Sequence, residues 1–283
     1  MFRTARFNGA KLLSGDYPAR LQVLERLNTV FYMPREEVEN RFTKYFYEYF
    51  QRIFECPFSF PLYSEFCNHI FDVANAGGKR VLDVGCGFGL ISIHFGVFGS
   101  QRVVGTDLDA DKIRVFQKLL ELLHISNVEP KLGDILDLEV SERFDVVICN
   151  EVISHVRNFE LCLERVYRCL EHGGVLYISD CNNSLNFLHK KELAKRLSKQ
   201  GVKPFSQSSD AGQFAERQFN PLVVVKALGS FGFEARLLRP FFVSQHKRYS
   251  GRVCKKVASE VLRFFYPISI VASPKFEIVA IKS

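Results

Sequence analysis

Between residues 79 and 180, short apolar runs rich in Val, Ile and Leu alternate with stretches whose apolar residues recur every three or four positions. Segments 80–83, 102–106, 128–132, 144–149 and 174–179 read as strands, and 90–98, 110–123 and 159–170 as the helices between them. These strands lack the apolar–polar alternation of a half-solvated sheet, so both of their faces are expected to be covered. Strands taking turns with helices in this way predict βαβ units, and hence a doubly wound, mostly parallel α/β sheet.

Flanking this core the texture differs. Segment 35–54 reads as one helix with Phe42, Tyr45, Phe46, Tyr49, Phe50 and Ile53 in a wide aromatic stripe. Pro57 and Pro61 interrupt it, Ser64 is placed to cap a second helix reaching to about Ala76, and Gly77-Gly78 closes that helix. Packing against the main domain is the favoured reading of the stripe, and a helical lid over an apolar substrate is the sharper one. The division is therefore a helical extension or lid over 1–78 and a main domain over 79–283. Within the latter, about 182–220 carries a charged helix (189–199), Gly201, Pro204 and a polar run, and reads as a cap inserted over the active face. Pro221 then starts a helix with Leu222, Val225 and Leu228 on one side. Segments 233–238 and 276–281 read as two closing strands.

Composition adds limits rather than identity. Of 283 residues, 47% are hydrophobic and 24% charged, the balance of an ordinary globular chain. No apolar run approaches the roughly 18 residues of a spanning helix, and the first residues have no apolar stretch of a secretory signal. Eight cysteines occur without a Cys-x-x-Cys pair, and Cys86, Cys149 and Cys162 sit in apolar or glycine-rich runs. Reduced thiols in a cytoplasmic protein are expected, with no zinc site. The net charge of +7 suits an anionic partner, substrate or cofactor, but a solvated basic surface is the plainer reading. Within 247–266, Lys247, Arg248, Lys255, Lys256 and Arg263 accompany an apolar face formed by Val253, Val257, Val261, Leu262 and Phe265. That segment suits peripheral contact with an anionic membrane or burial of its apolar face, and burial is favoured. No nucleic-acid-binding module accompanies the basic residues, which disfavours nucleic acid as a partner.

The chemistry concentrates in Asp83-Val84-Gly85-Cys86-Gly87-Phe88-Gly89, between the first strand and its helix. Gly85 permits a tight turn, Gly87 lets a ligand approach the backbone, and Gly89 admits close packing at the helix start. A dinucleotide pyrophosphate loop reads Gly-x-Gly-x-x-Gly, whereas here Leu90 holds the sixth position. Asp83, before the turn, is ill suited to a pyrophosphate and well suited to a cationic ammonium, such as that of S-adenosylmethionine. The second strand ends in Asp107, an acceptor for two ribose hydroxyls, with Leu108 beside it. The third ends in Asp134, an acceptor for an adenine amino group, and Ile135, which can lie against the ring. The competing readings are a helix N-cap for Asp107 and a plain turn residue for Asp134.

Residues 81–89 resemble the first motif of class I S-adenosylmethionine-dependent methyltransferases, 104–107 their acidic loop, 144–149 their fourth strand and 172–178 the Gly-Gly entry to their fifth. The resemblance covers roughly 79–180 in the right order. It implies a Rossmann-like seven-stranded sheet with an antiparallel final hairpin, S-adenosylmethionine as cofactor, and Asp83, Gly85, Cys86, Gly87, Gly89, Asp107, Leu108, Asp134, Ile135 and Asn150 as its binding residues. The stretch 150–156 is similar to the acceptor side of the ubiquinone-pathway O-methyltransferases, which hold a metal with Glu-x-x-Glu-His. Glu151 and His155 match, but Ser154 replaces the second carboxylate, so no metal site is assigned. His155 is read as a general base for an acceptor hydroxyl or as a structural histidine capping the next helix. The expected activity is methyl transfer to a small or lipid-like molecule at oxygen. Methylation of RNA or protein, and cofactor binding without catalysis, are the alternatives.

Overall fold

In the computed structural model, which describes residues 17–137, 142–182, 219–241 and 275–283, seven strands form one sheet. They are β1 (Arg80–Val84), β2 (Arg102–Asp107), β3 (Val128–Leu132), β4 (Phe144–Asn150), β5 (Leu170–Cys181), β6 (Phe233–Phe241) and β7 (Lys275–Lys282). Their order is β3-β2-β1-β4-β5-β7-β6. The five strands from β3 to β5 run parallel, and β7 is antiparallel to both β5 and β6. The doubly wound sheet and the antiparallel final hairpin are thus as the sequence pattern and the resemblance imply.

Two apolar layers cover the sheet. One face carries Val81, Val103, Val146, Ile148 and Tyr177, and packs on α1 (Tyr17–Val30), α5 (Phe60–Val73), α6 (Leu90–Phe98) and α7 (Ala110–Leu123). The other carries Leu82, Val84, Val147, Leu176 and Ile278, and packs on α8 (Phe159–Cys169) and α9 (Pro221–Ser230). Residues adjacent in a strand therefore serve opposite layers, as the strand period requires. The edge strand β3 departs from the buried pattern: only Val128 is buried, and Leu132 is exposed.

The amino-terminal region differs most from expectation. The single helix predicted over 35–54 is three short ones, α2 (Arg35–Arg41), α3 (Lys44–Tyr49) and α4 (Gln51–Phe54). Thr43, extended at φ −156°, breaks the run, and its hydroxyl accepts from the Phe46 amide as the N-cap of α3. The breaks let Phe42, Phe46, Phe50 and Phe54 all turn inward around Phe31, which the pattern did not mark as core. Ser64 is no cap. Pro61 occupies the first turn of α5, and Ser64 lies inside that helix with its hydroxyl 2.9 Å from His94 Nε2. Helix α5 ends at Val73 with Ala74 as its C-cap, and Asn75, at φ 51°, takes the left-handed position ahead of Gly77.

A buried polar cluster ties this extension to the sheet. Glu277 of β7 accepts from Tyr177 of β5, from Arg239 of β6 and from His69 of α5, the last at 3.0 Å. Burial alone would raise the Glu277 pKa, but the hydrogen bonds and charges of His69 and Arg239 hold it below the usual carboxylate range. The cap predicted over about 182–220 and the basic segment 247–266 lie almost wholly or wholly outside the described residues.

Candidate active site

Strands β1 to β4 end together. Val84 pairs in register with Thr106 and with Cys149, and Asp107 with Leu132. The residues that follow these ends are those marked in the sequence, so one edge of the sheet gathers Asp83, the glycine turn, Asp107, Leu108, Asp134, Ile135, Asn150 and His155. In open sheets of this class, ligands bind along that edge.

The glycine turn is held from below. Gly85, Gly87 and Gly89 all have positive φ. A Cβ at Gly85 would lie 2.6 Å from a Val152 methyl, and one at Gly89 would lie 2.1 Å from the Phe116 ring. These two glycines are demanded by packing. Gly87 is different, since a Cβ there would meet nothing within 4 Å. Its outer side is open space, a cradle of the kind a ligand needs to approach the backbone. The Cys86 amide donates to the Thr106 carbonyl, and burial raises the Cys86 thiol pKa well above its ordinary value.

Asp107 braces this turn. Its Oδ2 accepts from the Gly87 amide at 2.9 Å, and its Oδ1 accepts from the Asp109 amide at 3.0 Å. Each oxygen keeps a further lone pair for a ligand hydroxyl. The N-cap of α7 is Asp109, which accepts from the Asp111 and Lys112 amides, so the capping alternative for Asp107 falls to its neighbour. Lys112 lies 3.9 Å from Asp107. Beside it, Leu108 is 54% exposed, a large apolar side chain left at a strand end without a protein cover. Ile135 is buried, and Asp134 Oδ1 accepts from the Leu136 amide at 2.9 Å, the turn role foreseen as its alternative.

Asp83 sits deeper. It is 2% exposed and faces α6, where the Ser92 hydroxyl donates to Oδ2 at 2.6 Å. Burial dominates its environment and, with the charge of Asp107, raises its pKa to about 7 against the Ser92 hydrogen bond. A carboxyl so poised gains from a nearby cation more than a solvated one would.

Across the turn stands the segment after β4. The Asn150 side-chain carbonyl accepts from the Ser179 hydroxyl at 2.7 Å. Glu151 adopts φ 57°, a left-handed conformation that costs a non-glycine residue about 1 kcal/mol or more. Its amide donates to the Ser179 carbonyl, and its carboxylate is ion-paired to Lys275 of β7. Ser154 is buried, with its amide donating to Asp180 Oδ2 at 3.0 Å. Glu151 and Ser154 are thus committed elsewhere, and among the described residues no group of three or more His, Cys, Asp or Glu is placed to hold a metal ion. His155 is exposed at the end of this turn. The N-cap of α8 is Asn158, whose side chain accepts from the Leu161 amide, so His155 does not cap that helix.

Three contributors escaped the sequence reading. Asp180, fully buried at the end of β5, fastens the turn bearing His155 through the Ser154 amide. It is an acid closing an apolar strand, the same signal used for Asp83 and Asp107. Lys275 carried no local signal, because its partner lies 124 positions away. Phe88, to which the motif assigns no role, is 2% exposed and touches the rings of Tyr45, Phe46, Tyr49 and Phe50. The aromatic stripe thereby splits. Its phenylalanines pack, while Tyr45 and Tyr49 stand 42% and 56% exposed beside the glycine turn.

Comparison with known proteins agrees with this geometry. The family model described as a methyltransferase domain matches residues 75–218. The chain is 36% identical over 107 residues to the ubiquinone biosynthesis O-methyltransferase of Nitrobacter winogradskyi, covering 38% of this chain and 40% of that relative. It is 29% identical over 113 residues to (S)-coclaurine N-methyltransferase of Papaver somniferum, covering 39% of this chain and 32% of that one. The matches therefore span less than half the length of either relative. Among solved structures, an S-adenosylmethionine-dependent methyltransferase from Mesorhizobium loti superposes with a TM-score of 0.52 at 16% identity, over 73% of this chain and 92% of the other. That likeness is one of fold.

Proposed function

This chain belongs to the methyltransferase-domain family, and from that premise we propose that it moves the methyl group of S-adenosylmethionine to an oxygen of a small or lipid-like acceptor. The observation that carries the reading is the pairing of an open glycine cradle at Gly87 with an exposed histidine, His155, along one sheet edge. In this reading the glycine turn, with Cys86, receives the cofactor, Asp83 its ammonium and Asp107 its ribose hydroxyls. Leu108 and Ile135 flank the adenine, Asp134 accepts from its amino group, and Asn150 completes the wall. The cofactor supplies a methyl group that its sulfonium has already activated.

The protein's tasks are then to align the acceptor, keep water out and take up one proton. His155 is the base: it is the exposed imidazole at this end of the sheet, and a ring nitrogen can accept a hydroxyl proton. As the acceptor oxygen gains the methyl group, its hydroxyl proton passes to the imidazole. Asp180 is a positioning residue that fixes the backbone of this turn.

The likeness to the Nitrobacter O-methyltransferase supports oxygen as the accepting atom, and that to the Papaver N-methyltransferase makes nitrogen the competing outcome. Incubation with methyl-labelled cofactor and a panel of quinol, phenol, amine and glycan acceptors tests the reading. Transfer confined to RNA or protein would overturn it. His155→Ala is expected to lower kcat by roughly 10²- to 10⁴-fold and leave cofactor affinity unchanged. Unaltered turnover would remove His155 from the chemistry.

A further inference from the structure

Helix α3 places Tyr45 and Tyr49 one turn apart on the same side, 6.2 Å between ring centroids. Both rings lie against Phe88, at 5.4 and 5.3 Å. Phe88 belongs to the glycine turn and is itself buried under Phe46 and Phe50. The two tyrosines are thus the outermost layer of an aromatic stack whose inner layers are core. Through Phe88 they are tied to the glycine turn itself, next in sequence to Gly87, where a Cβ would meet no atom within 4 Å.

The surroundings of Tyr49 locate it further. Its hydroxyl feels the charges of Glu151, which follows β4, and of Asp107, which ends β2. Those strands lie on either side of β1 in the sheet. That agrees with the contact of its ring with Phe88, which places Tyr49 at the β1 turn. Tyr49 is more than half exposed, yet the protein around it, chiefly by excluding water, pushes its pKa up to about 12.

The charges there favour a cation as occupant. Three carboxyl groups, Asp83, Asp107 and Glu151, surround the turn. Lys112 lies near Asp107 and Lys275 pairs with Glu151, so two of the carboxylates are already countered. Tyr45 and Tyr49, packed inward on Phe88, keep part of each ring open on the outer side, and aromatic rings attract cations through their quadrupole.

We propose that Tyr49, supported by Tyr45, covers the sulfonium of S-adenosylmethionine and makes the site distinguish this charged donor from its neutral thioether product. The assignment rests on the cofactor proposed above. It gives the amino-terminal helices a role in turnover, because a site that prefers the sulfonium releases the spent product.

The test is calorimetric, on the full chain, with S-adenosylmethionine and S-adenosylhomocysteine as separate ligands. Tyr49→Leu removes the ring and keeps an apolar side chain, while Tyr49→Phe keeps the ring. Tyr49→Leu is expected to weaken binding of the sulfonium ligand about five- to tenfold and that of the thioether less than about twofold. Tyr49→Phe is expected to preserve the wild-type ratio of the two affinities. Tyr45→Leu, read the same way, gives a smaller loss in the same direction and serves if Tyr49→Leu does not fold. Equal weakening of both ligands would mean that Tyr49 merely packs, and no change in either would place it away from the ligand; each result overturns the proposal. Wild-type protein that binds neither ligand overturns the proposed cofactor itself, an outcome distinct from equal affinities in a chain that binds both.

Discussion

Replacing Asp83 by Asn should stabilise the protein at pH 8 and destabilise it at pH 4. The carboxyl is 2% exposed, and its pKa stands at about 7 against an ordinary value of 3.8, chiefly because burial penalises the charged form. A group whose folded pKa is raised contributes fully below its unfolded pKa, and that contribution is lost as pH rises through the folded value. Between about 4 and 7 the unfolded chain gives up this proton while the folded chain retains it. By pH 8 the difference amounts to about 4 kcal/mol against folding. An Asn side chain avoids that cost and can still accept from Ser92, but it brings amide donors into a pocket arranged around an acceptor. Leaving such a donor unsatisfied costs about 1–2 kcal/mol. The net expectation is a gain of about 2 kcal/mol at pH 8, and a loss of about 1 kcal/mol at pH 4, where the carboxyl is no longer a liability. Urea unfolding followed by circular dichroism at the two pH values measures both. An equal loss at both would refute the idea that Asp83 is a desolvated carboxylate. The same variant should bind S-adenosylmethionine more weakly by about 1–3 kcal/mol if Asp83 meets its ammonium, so stability and affinity would move in opposite directions.

His94 provides the complementary measurement. It is fully buried, with its pKa lowered to about 4 by burial, and it faces the Leu90 carbonyl through Nδ1 and the Ser64 hydroxyl through Nε2. A carbonyl only accepts, so Nδ1 carries the proton and the imidazole is neutral. Its contribution is lost as pH falls from about 6.5 to about 4, where the unfolded chain takes up a proton that the folded chain refuses, and is worth about 3 kcal/mol. Asp83 titrates with the opposite sign in nearly the same window, so the acid loss should emerge in the Asp83→Asn background and vanish when His94→Gln is added. At the glycine turn, Gly89→Ala drives a methyl into Phe116 and should cost about 3 kcal/mol or more in unfolding free energy. Gly87→Ala meets no atom and should cost only about 1 kcal/mol, its positive φ being the main penalty, while lowering cofactor affinity more than tenfold. Similar unfolding and binding losses in both variants would contradict the division of labour between these glycines.

The parallel part of the fold was legible because its signals are local. The limits of α6 and α7 were read as they stand, since a buried strand or an amphipathic helix declares its period within a dozen residues. The amino-terminal helices were not, because their breaks follow from distant packing. A continuous helix over 35–54 would satisfy the stripe, but it would not bring Phe42, Phe50 and Phe54 to the same buried cluster as Phe31. Ser64 misled for a related reason. A serine after a proline has the appearance of a cap, and only the fold shows that its partner is His94, thirty positions on. At the candidate site, the acids at strand ends were readable from type and position. Lys275 and the two tyrosines were not, because their places depend on the pairing of β7 and on the three-way break of the first aromatic stretch.

The placement of β7 also bears on the order in which the fold can be completed. This strand is made after every other element described, yet it lies between β5 and β6 rather than at an edge. Until 275–282 leave the ribosome, β5 and β6 have no common neighbour, and Tyr177, His69 and Arg239 wait without the carboxylate that joins them. The Glu277–His69 contact closes a loop of 208 residues and the Lys275–Glu151 pair one of 124. Contacts of such long sequence separation form late and slow folding. A nascent chain stalled before residue 275 would hold a nearly complete parallel sheet with one flank of β5 unpaired, a surface on which chaperones act and from which aggregation starts.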